Sequence, residues 1–298
     1  MKKLKYFHYC WGFILLIVVA ILSSCGAATK CEQLKYVKSS DRELISYSVS
    51  GRGNLTLVFI HGWSCDSRYW REQVPYFAKK YKVVTIDLAG HGHSGVERKI
   101  YSLKEFAEDV KAVVDDIGAQ QVILIGHSMG GGVIARAAIL MPKRVIGLVG
   151  VDTLQNVESV IMSDEDINSI IEGYKKDFRN TVKPFVEEMI AEETDSELKK
   201  WIISDMSAAP VKVGISAFQE FAGTFKNGGM AKIFDEINVP VRCLNADLWP
   251  TDVEANRRHM RSFDVEIMKG LGHFLMLASP DEFNRRLNTI INEILKKR

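Results

Sequence analysis

The chain has 298 residues, with 39 lysines and arginines against 37 aspartates and glutamates, for a formal net charge of +2. That balance excludes a nucleic-acid binder: apart from the terminal Lys296-Lys297-Arg298, which reads as the cationic end of a helix, there is no basic block. Its seven histidines and five cysteines fall in no ligand-cluster spacing and no H-E-x-x-H pattern, so neither a metal nor another cofactor is implied.

Lys2, Lys3 and Lys5 form a basic start, residues 11–22 are apolar, and Leu22-Ser23-Ser24-Cys25 closes the run. This resembles a bacterial lipoprotein signal over residues 1–24, cut before Cys25, whose thiol then carries lipid. An uncleaved membrane anchor is the alternative, but the apolar run is short for a span that needs ~20 residues. The resemblance implies a cell-envelope protein tethered by lipid on the extracytoplasmic side of a membrane. Gly26 in place of an acidic residue after Cys25 suits an outer membrane where the cell has one. Removing Lys2, Lys3 and Lys5 from the 39 basic residues leaves 36 against 37 acidic ones, so the mature chain is near neutral. Cys10 leaves with the leader. Cys31, Cys65 and Cys243 remain at unrelated spacings, which imply no disulfide framework, although a bridge from Cys65 to Cys31 or to Cys243 is open.

After a tether over 25–40, apolar runs alternate with helical patterns. Residues 43–49 alternate as an edge strand and 55–60 form a buried one; 68–79 have helical spacing, and 82–87 make the next strand. Residues 101–117 are an amphipathic helix opened by a Ser102/Glu105 capping box. Strands follow at 121–126, 145–151, 239–245 and 264–269. Ser279-Pro280-Asp281-Glu282 opens a final helix, with Ser279 as cap and Pro280 in the first turn. Such alternation gives an α/β fold with a mostly parallel sheet covered by helices on both faces. The rhythm breaks at 153–232, where Ser163, Asp195 and Pro210 mark helix starts. Phe178, Phe185, Trp201, Phe218, Phe221 and Phe225 enrich the segment in aromatic rings. It reads as a helical lid inserted between core segments 41–152 and 233–298, and its rings imply an apolar pocket.

Gly126-His127-Ser128-Met129-Gly130 is a G-x-S-x-G pentapeptide between the apolar run 122–125 and a helix-compatible run from Gly131. A serine hydroxyl is a poor nucleophile unless it is lifted toward a base, and a sharp strand-to-helix turn does that. The turn is crowded, which explains the small residues two positions either side. The following helix aims free N–H groups at the same place and favours a developing oxyanion. A phosphate cradle is excluded, because there is neither dinucleotide G-x-G-x-x-G spacing nor a Walker lysine.

With His61-Gly62-Trp63 after one strand, Asp87-Leu88-Ala89-Gly90-His91-Gly92-His93-Ser94 after the next, and Gly272-His273-Phe274 near the end, the chain from about residue 40 onward resembles α/β-hydrolase fold enzymes of the lidded esterase and lipase type. The resemblance implies Ser128 as nucleophile and His273 as general base, with backbone N–H groups of Trp63 and Met129 as the oxyanion hole. Of the other histidines, His8 lies in the leader, and His91 and His93 fall in a structural loop. His61 holds the oxyanion loop, His127 points away from Ser128, and His259 is solvated. The acid is expected after the strand that precedes the base strand. Asp247 is favoured because its 26-residue separation from His273 leaves room for a helix at 254–262 and a strand. Asp252 is the rival, with helix capping as its other role, and Asp152 is a third option, since some relatives place the acid one strand earlier. No G-x-x-D marks the position.

These residues point to a serine hydrolase that cleaves a carboxylic ester or thioester of a small-molecule acyl substrate through an acyl-enzyme, without cofactor. Ser128 argues against epoxide hydrolase or dehalogenase chemistry, which in this fold uses an aspartate nucleophile. Carbon–carbon bond hydrolases, serine peptidases and perhydrolases share the triad and stay open. A slow-turnover ligand receptor, or a lipid-holding envelope protein, is the alternative of another class.

Overall fold

The computed structural model describes residues 34–160 and 162–296; the leader, Cys25 and Cys31 lie outside them. Eight strands form one sheet: β1 (Lys35–Lys38), β2 (Leu44–Ser50), β3 (Leu55–Ile60), β4 (Lys82–Asp87), β5 (Gln121–His127), β6 (Val145–Val151), β7 (Val241–Ala246) and β8 (Phe263–Met268). Their order is β1-β2-β4-β3-β5-β6-β7-β8. The β1/β2 and β2/β4 pairs are antiparallel, and every pair from β4 to β8 is parallel. The central strands are buried along most of their length, as a parallel sheet covered on both faces requires.

Between the strands run α1 (Val74–Phe77), α2 (Leu103–Asp116) and α3 (Met129–Leu140); after β7 come α8 (Val253–His259), then α9 (Leu275–Ala278) and α10 (Pro280–Lys296). Ser102 caps α2 by accepting the Glu105 N–H, as its capping box predicts. Two expectations change. The predicted edge strand is β2, but Lys35–Lys38, expected in the tether, pairs outside it as β1 with both lysines exposed, a charged edge that discourages further pairing. The predicted 68–79 helix splits into a 3₁₀ turn, Ser67–Trp70, capped by Asp66, and the short α1, which Pro75 opens. A proline has no N–H to continue the first helix and suits the first turn of the second.

The segment between β6 and β7 is helical: α4 (Asp164–Glu187), α5 (Ser196–Met206), α6 (Val211–Thr224) and α7 (Gly229–Asp235). Ser163 and Asp195 cap α4 and α5 with their side chains, and Pro210 precedes α6. α4 kinks at Asp177, whose φ of −157° and ψ of 86° are not helical and whose carboxylate accepts the Asn180 N–H. The insertion packs on the core through α5. Trp201 lies against Tyr69 at 4.9 Å and under the Arg71 guanidinium at 4.4 Å, while Asp205 pairs with Arg68. Cys65 and Cys243 are buried free thiols, so the Cys65–Cys243 bridge does not form.

Arg98 anchors the loop after β4. Its guanidinium donates to both oxygens of Asp109 on α2, at 2.6 and 3.0 Å, and to Asp41. Burial pushes the Asp109 carboxyl up against the pull of Arg98. Replacing Arg98 with leucine leaves a buried carboxylate without its cation, which typically costs about 3–5 kcal/mol. Urea unfolding of Arg98→Leu is expected to show a lowered midpoint of that size.

Candidate active site

Ser128 is the corner between β5 and α3, at φ 53° and ψ −120°, a conformation that costs an L-residue energy unless its surroundings impose it. They do: its N–H donates to Val151 O at 3.0 Å, and its carbonyl accepts from Gly131 N–H and Thr153 Oγ1. The flanking glycines are forced by contact. A Cβ on Gly126 would lie 2.3 Å from Gly130 O, and one on Gly130 would lie 2.8 Å from Ile60 O. Met129 opens α3, so its N–H belongs to the first turn and has no helical acceptor. Neither this N–H nor that of Trp63, the two expected oxyanion donors, has a protein acceptor among the described residues.

His273 follows β8 with its backbone clamped at both ends. Its N–H donates to Met189 O at 2.8 Å, and its carbonyl accepts from His127 Nε2 at 2.9 Å. Its Nδ1 lies 2.5 Å from Asp152 Oδ2. The carboxylate at His273 is therefore Asp152, just past β6, and the expectation of Asp247 is corrected. Asp247 lies beyond β7 on the exposed side and accepts the Gly270 N–H at 2.8 Å. Asp252 caps α8 by accepting the Ala255 N–H, the non-catalytic role expected for it. Asp152 is 1% exposed, and its second oxygen accepts the Ala246 N–H at 2.9 Å. Both oxygens are thus satisfied, by the β7 end and by the imidazole. The following loop is tied down by Asn245, which exchanges hydrogen bonds with Thr153, and by Asn256, which holds Leu154 O and Val157 N–H.

Ser128, His273, Asp152, Trp63 and Met129 line one cavity of about 620 Å³. The serine hydroxyl is not hydrogen-bonded to the imidazole among the described contacts, an open arrangement common before substrate tightens such a site. Phe185, Phe218, Phe221 and Phe225 from the insertion form the apolar wall, with Met162, Met189 and Met206 beside them. Phe178 and Trp201, also expected to serve the pocket, do not line it. Phe178 packs on Trp63, and Trp201 on the core turn. Thr153, Gln155, Asn156 and Ser159 give a neutral polar flank. Among the described residues, Asp152, already committed to two donors, is the one carboxylate on the wall, and no lysine or arginine lines it.

A family model described as the alpha/beta hydrolase fold matches residues 56–199. A pimeloyl-[acyl-carrier protein] methyl ester esterase of Edwardsiella ictaluri is 30% identical over 182 residues, covering 57% of this chain and 68% of that protein. The chain belongs to the α/β-hydrolase fold family. An acetyltransferase component of an acetoin-cleaving system from Cupriavidus necator is 33% identical over 153 residues, covering 50% of this chain but 38% of that longer protein, and a similar component from Pseudomonas putida is matched over 28% of its length. In fold, a bromoperoxidase from Bacillus anthracis superposes with a TM-score of 0.77 at 22% identity, covering 87% of this chain and 100% of that one.

Three other histidines of this α/β-hydrolase fold chain, His61, His91 and His127, hold backbone. His61 is buried, its Nε2 accepts the Leu88 N–H, and its Nδ1 therefore donates to Gly62 O, so it shapes the loop before Trp63. His91 Nδ1 bonds Ala89 O, and exposed His93 meets Asp87. His127, read from the sequence as turned away from Ser128, lines the same cavity, lies 4.5 Å from the His273 ring and supports the carbonyl of His273, a role the sequence reading missed. A histidine directly before the elbow serine was the available signal. His259 is not simply solvated: it bridges Asp235 and Glu158, which raise its pKa against the effect of burial.

Burial lowers the pKa of His61 and His127, and brings that of His91 to about 3, with the neighbouring His61 adding to the effect. All three stay neutral in the fold, while the unfolded chain takes up protons as pH falls through their ordinary value of 6.5. The folded pKa values are depressed, so this stability is complete above that value and is lost below it. Each imidazole steepens the loss by up to about 1.4 kcal/mol per pH unit. Urea unfolding between about pH 7.5 and 5 is expected to show falling stability, with a shallower slope in His91→Gln.

Proposed function

We propose that the protein is a serine hydrolase cleaving a carboxylic ester or thioester, with Ser128 as nucleophile, His273 as base and Asp152 as the acid. The observation that carries the reading is the 2.5 Å pair of His273 and a buried, doubly bonded Asp152 on the wall of the cavity that also holds the Ser128 elbow. Asp152 keeps the Nδ1 proton on His273, leaves Nε2 free to accept from the serine, and stabilises the imidazolium that forms. Ser128 Oγ attacks the carbonyl as its proton passes to His273, and the N–H groups of Met129 and Trp63 hold the oxyanion. The alcohol or thiol leaves with that proton, and water, activated by the same imidazole, releases the acid. The ester reading is supported by the esterase relative, and the serine at the elbow argues against an aspartyl nucleophile.

An apolar wall without free charge favours an uncharged acyl chain, because a charged one would lose its hydration without a partner. The cavity's 620 Å³ falls within the roughly 300–1,000 Å³ usual for ligand sites. Steady-state hydrolysis of p-nitrophenyl esters from acetyl to palmitoyl is expected to show kcat/KM rising about three- to fourfold per methylene, the equivalent of ~0.8 kcal/mol, until the cavity is filled. A succinyl half-ester should be poor. Ser128→Ala should abolish turnover and Asp152→Asn should lower kcat by about 10³–10⁴-fold, with Asp247→Asn near wild type. A single burst, or turnover retained by Ser128→Ala, would sink the reading in favour of a receptor or another bond class.

We also propose that the leader exports the chain and that Cys25 carries lipid at the cell envelope. The basic start, apolar run and Leu22-Ser23-Ser24-Cys25 closure support this. Labelling cells with radioactive palmitate is expected to mark the wild-type chain and not Cys25→Ala.

A further inference from the structure

Trp63 sits at the oxyanion loop, yet its side chain is held by the insertion. The indole Nε1 donates to Gly214 O on α6 at 2.8 Å. Tyr174 of α4 stacks on the ring at 5.7 Å and 18°, and Phe178, Phe185 and Phe218 close around it at 5.9–6.1 Å. The residue is 7% exposed. The core holds the other half of the same peptide unit: Cys65 N–H donates to Gly62 O, His61 Nδ1–H donates to that same carbonyl, and Cys65 Sγ contacts Trp63 O. The loop then leaves through Ser64 at φ 55°. One backbone N–H is therefore aimed by two bodies, the core through its neighbours and the insertion through its indole.

We propose that the Trp63 indole is a positioning residue that lets the insertion set the oxyanion donor, so that the helices after β6 act on the chemical step as well as on substrate binding. This rests on the serine-hydrolase reading above. The four rings hold the indole by stacked, tilted and edge contacts, and the hydrogen bond to Gly214 fixes the ring's rotation within the cage. A misplacement of about 1 Å at a reacting centre can lower a rate about 100-fold, so the coupling has consequences for kcat. A residue that merely walls the cavity would act on KM.

The test uses Trp63→Phe, which keeps a ring and removes the indole donor, and Gly214→Ala, which keeps the indole but sets a Cβ 2.5 Å from the Phe178 ring. Both are followed by thermal melting, by kcat and KM on p-nitrophenyl butanoate, and by affinity for an aryl trifluoromethyl ketone. That ketone is attacked by Ser128 Oγ: the O–C bond forms, the carbonyl pair becomes an oxyanion, and the proton goes to His273. Expected is a fall in kcat of about 10- to 100-fold, with KM within about threefold and a matching loss of ketone affinity. Binding of the corresponding unreactive alcohol should be unchanged. Phe221→Ala, which widens the same cavity without touching Trp63, should raise KM instead. A folded variant with wild-type kcat, or one that loses alcohol affinity as much as ketone affinity, overturns the inference alone. If Trp63→Phe does not fold, Gly214→Ala decides by the same readings. Wild-type protein that shows no Ser128-dependent turnover overturns the serine-hydrolase reading, and the inference with it.

Discussion

A carboxylate that is 1% exposed must have donors on both oxygens or give up its charge, and much of this site follows from how Asp152 meets that demand. One oxygen takes the Ala246 N–H and so joins the end of β6 to the end of β7. The other takes His273 and so draws the loop after β8 over the elbow. Three successive strand ends are thereby brought to one point. The His273 backbone is then fixed from two further directions, by Met189 of the insertion and by His127 of the elbow. These bonds set the imidazole's orientation together with the rings packed on it, His127 at 4.5 Å and Trp249 and Phe274 at 5.3 Å.

The insertion enters this arrangement at three places that share no residue. Met189 O holds the His273 N–H, the cage of α4 and α6 holds Trp63, and α5 docks on the turn after β3 through Trp201 and Asp205. An element attached this way is more than a cover that supplies apolar surface. Its contacts reach both halves of the proposed chemistry, the base and the oxyanion loop, so loosening it should disturb both together. The Arg68–Asp205 pair adds little by itself, since Arg68 is about half exposed. The rings around Trp63, with Trp201 on Tyr69, supply more of the attachment.

The sheet, the elbow and the starts of the inserted helices are legible in the sequence because each depends on local chemistry: apolar runs bounded by turns, glycines two residues either side of Ser128, and caps at Ser163 and Asp195. The carboxylate that meets His273 was not legible. A carboxylate one residue past β6 and another one residue past β7 are equivalent as sequence, and separation from His273 cannot rank them. What decides is three-dimensional. Asn245 occupies the end of β7 and spends its amide on Thr153, which holds the β6 loop close to His273, whereas Asp247 has already turned outward to Gly270. β1 was missed because four residues with two lysines carry no hydrophobic period, and its pairing comes from the exposed flank of β2.

The distribution of backbone strain follows the same logic. Among the described residues, six non-glycines have positive φ: Arg42, Ser64, Ser128, Asp152, Leu154 and Asn227. Four of these adjoin or line the cavity; three are held by hydrogen bonds from a neighbouring element, Ser128 by Val151, Asp152 by Leu244 and Leu154 by Asn256, and the Ser64 turn is closed locally by the Gly62–Cys65 bond. Strain of about 1–3 kcal/mol per residue persists only where the surroundings over-determine the backbone. A site that must present a hydroxyl, a carboxylate and two N–H groups to one small volume cannot use relaxed turns for all of them. The strands β6 and β7 and the helix α8 supply most of that restraint, which ties the rigidity of the site to the sheet and to a helix outside the cavity.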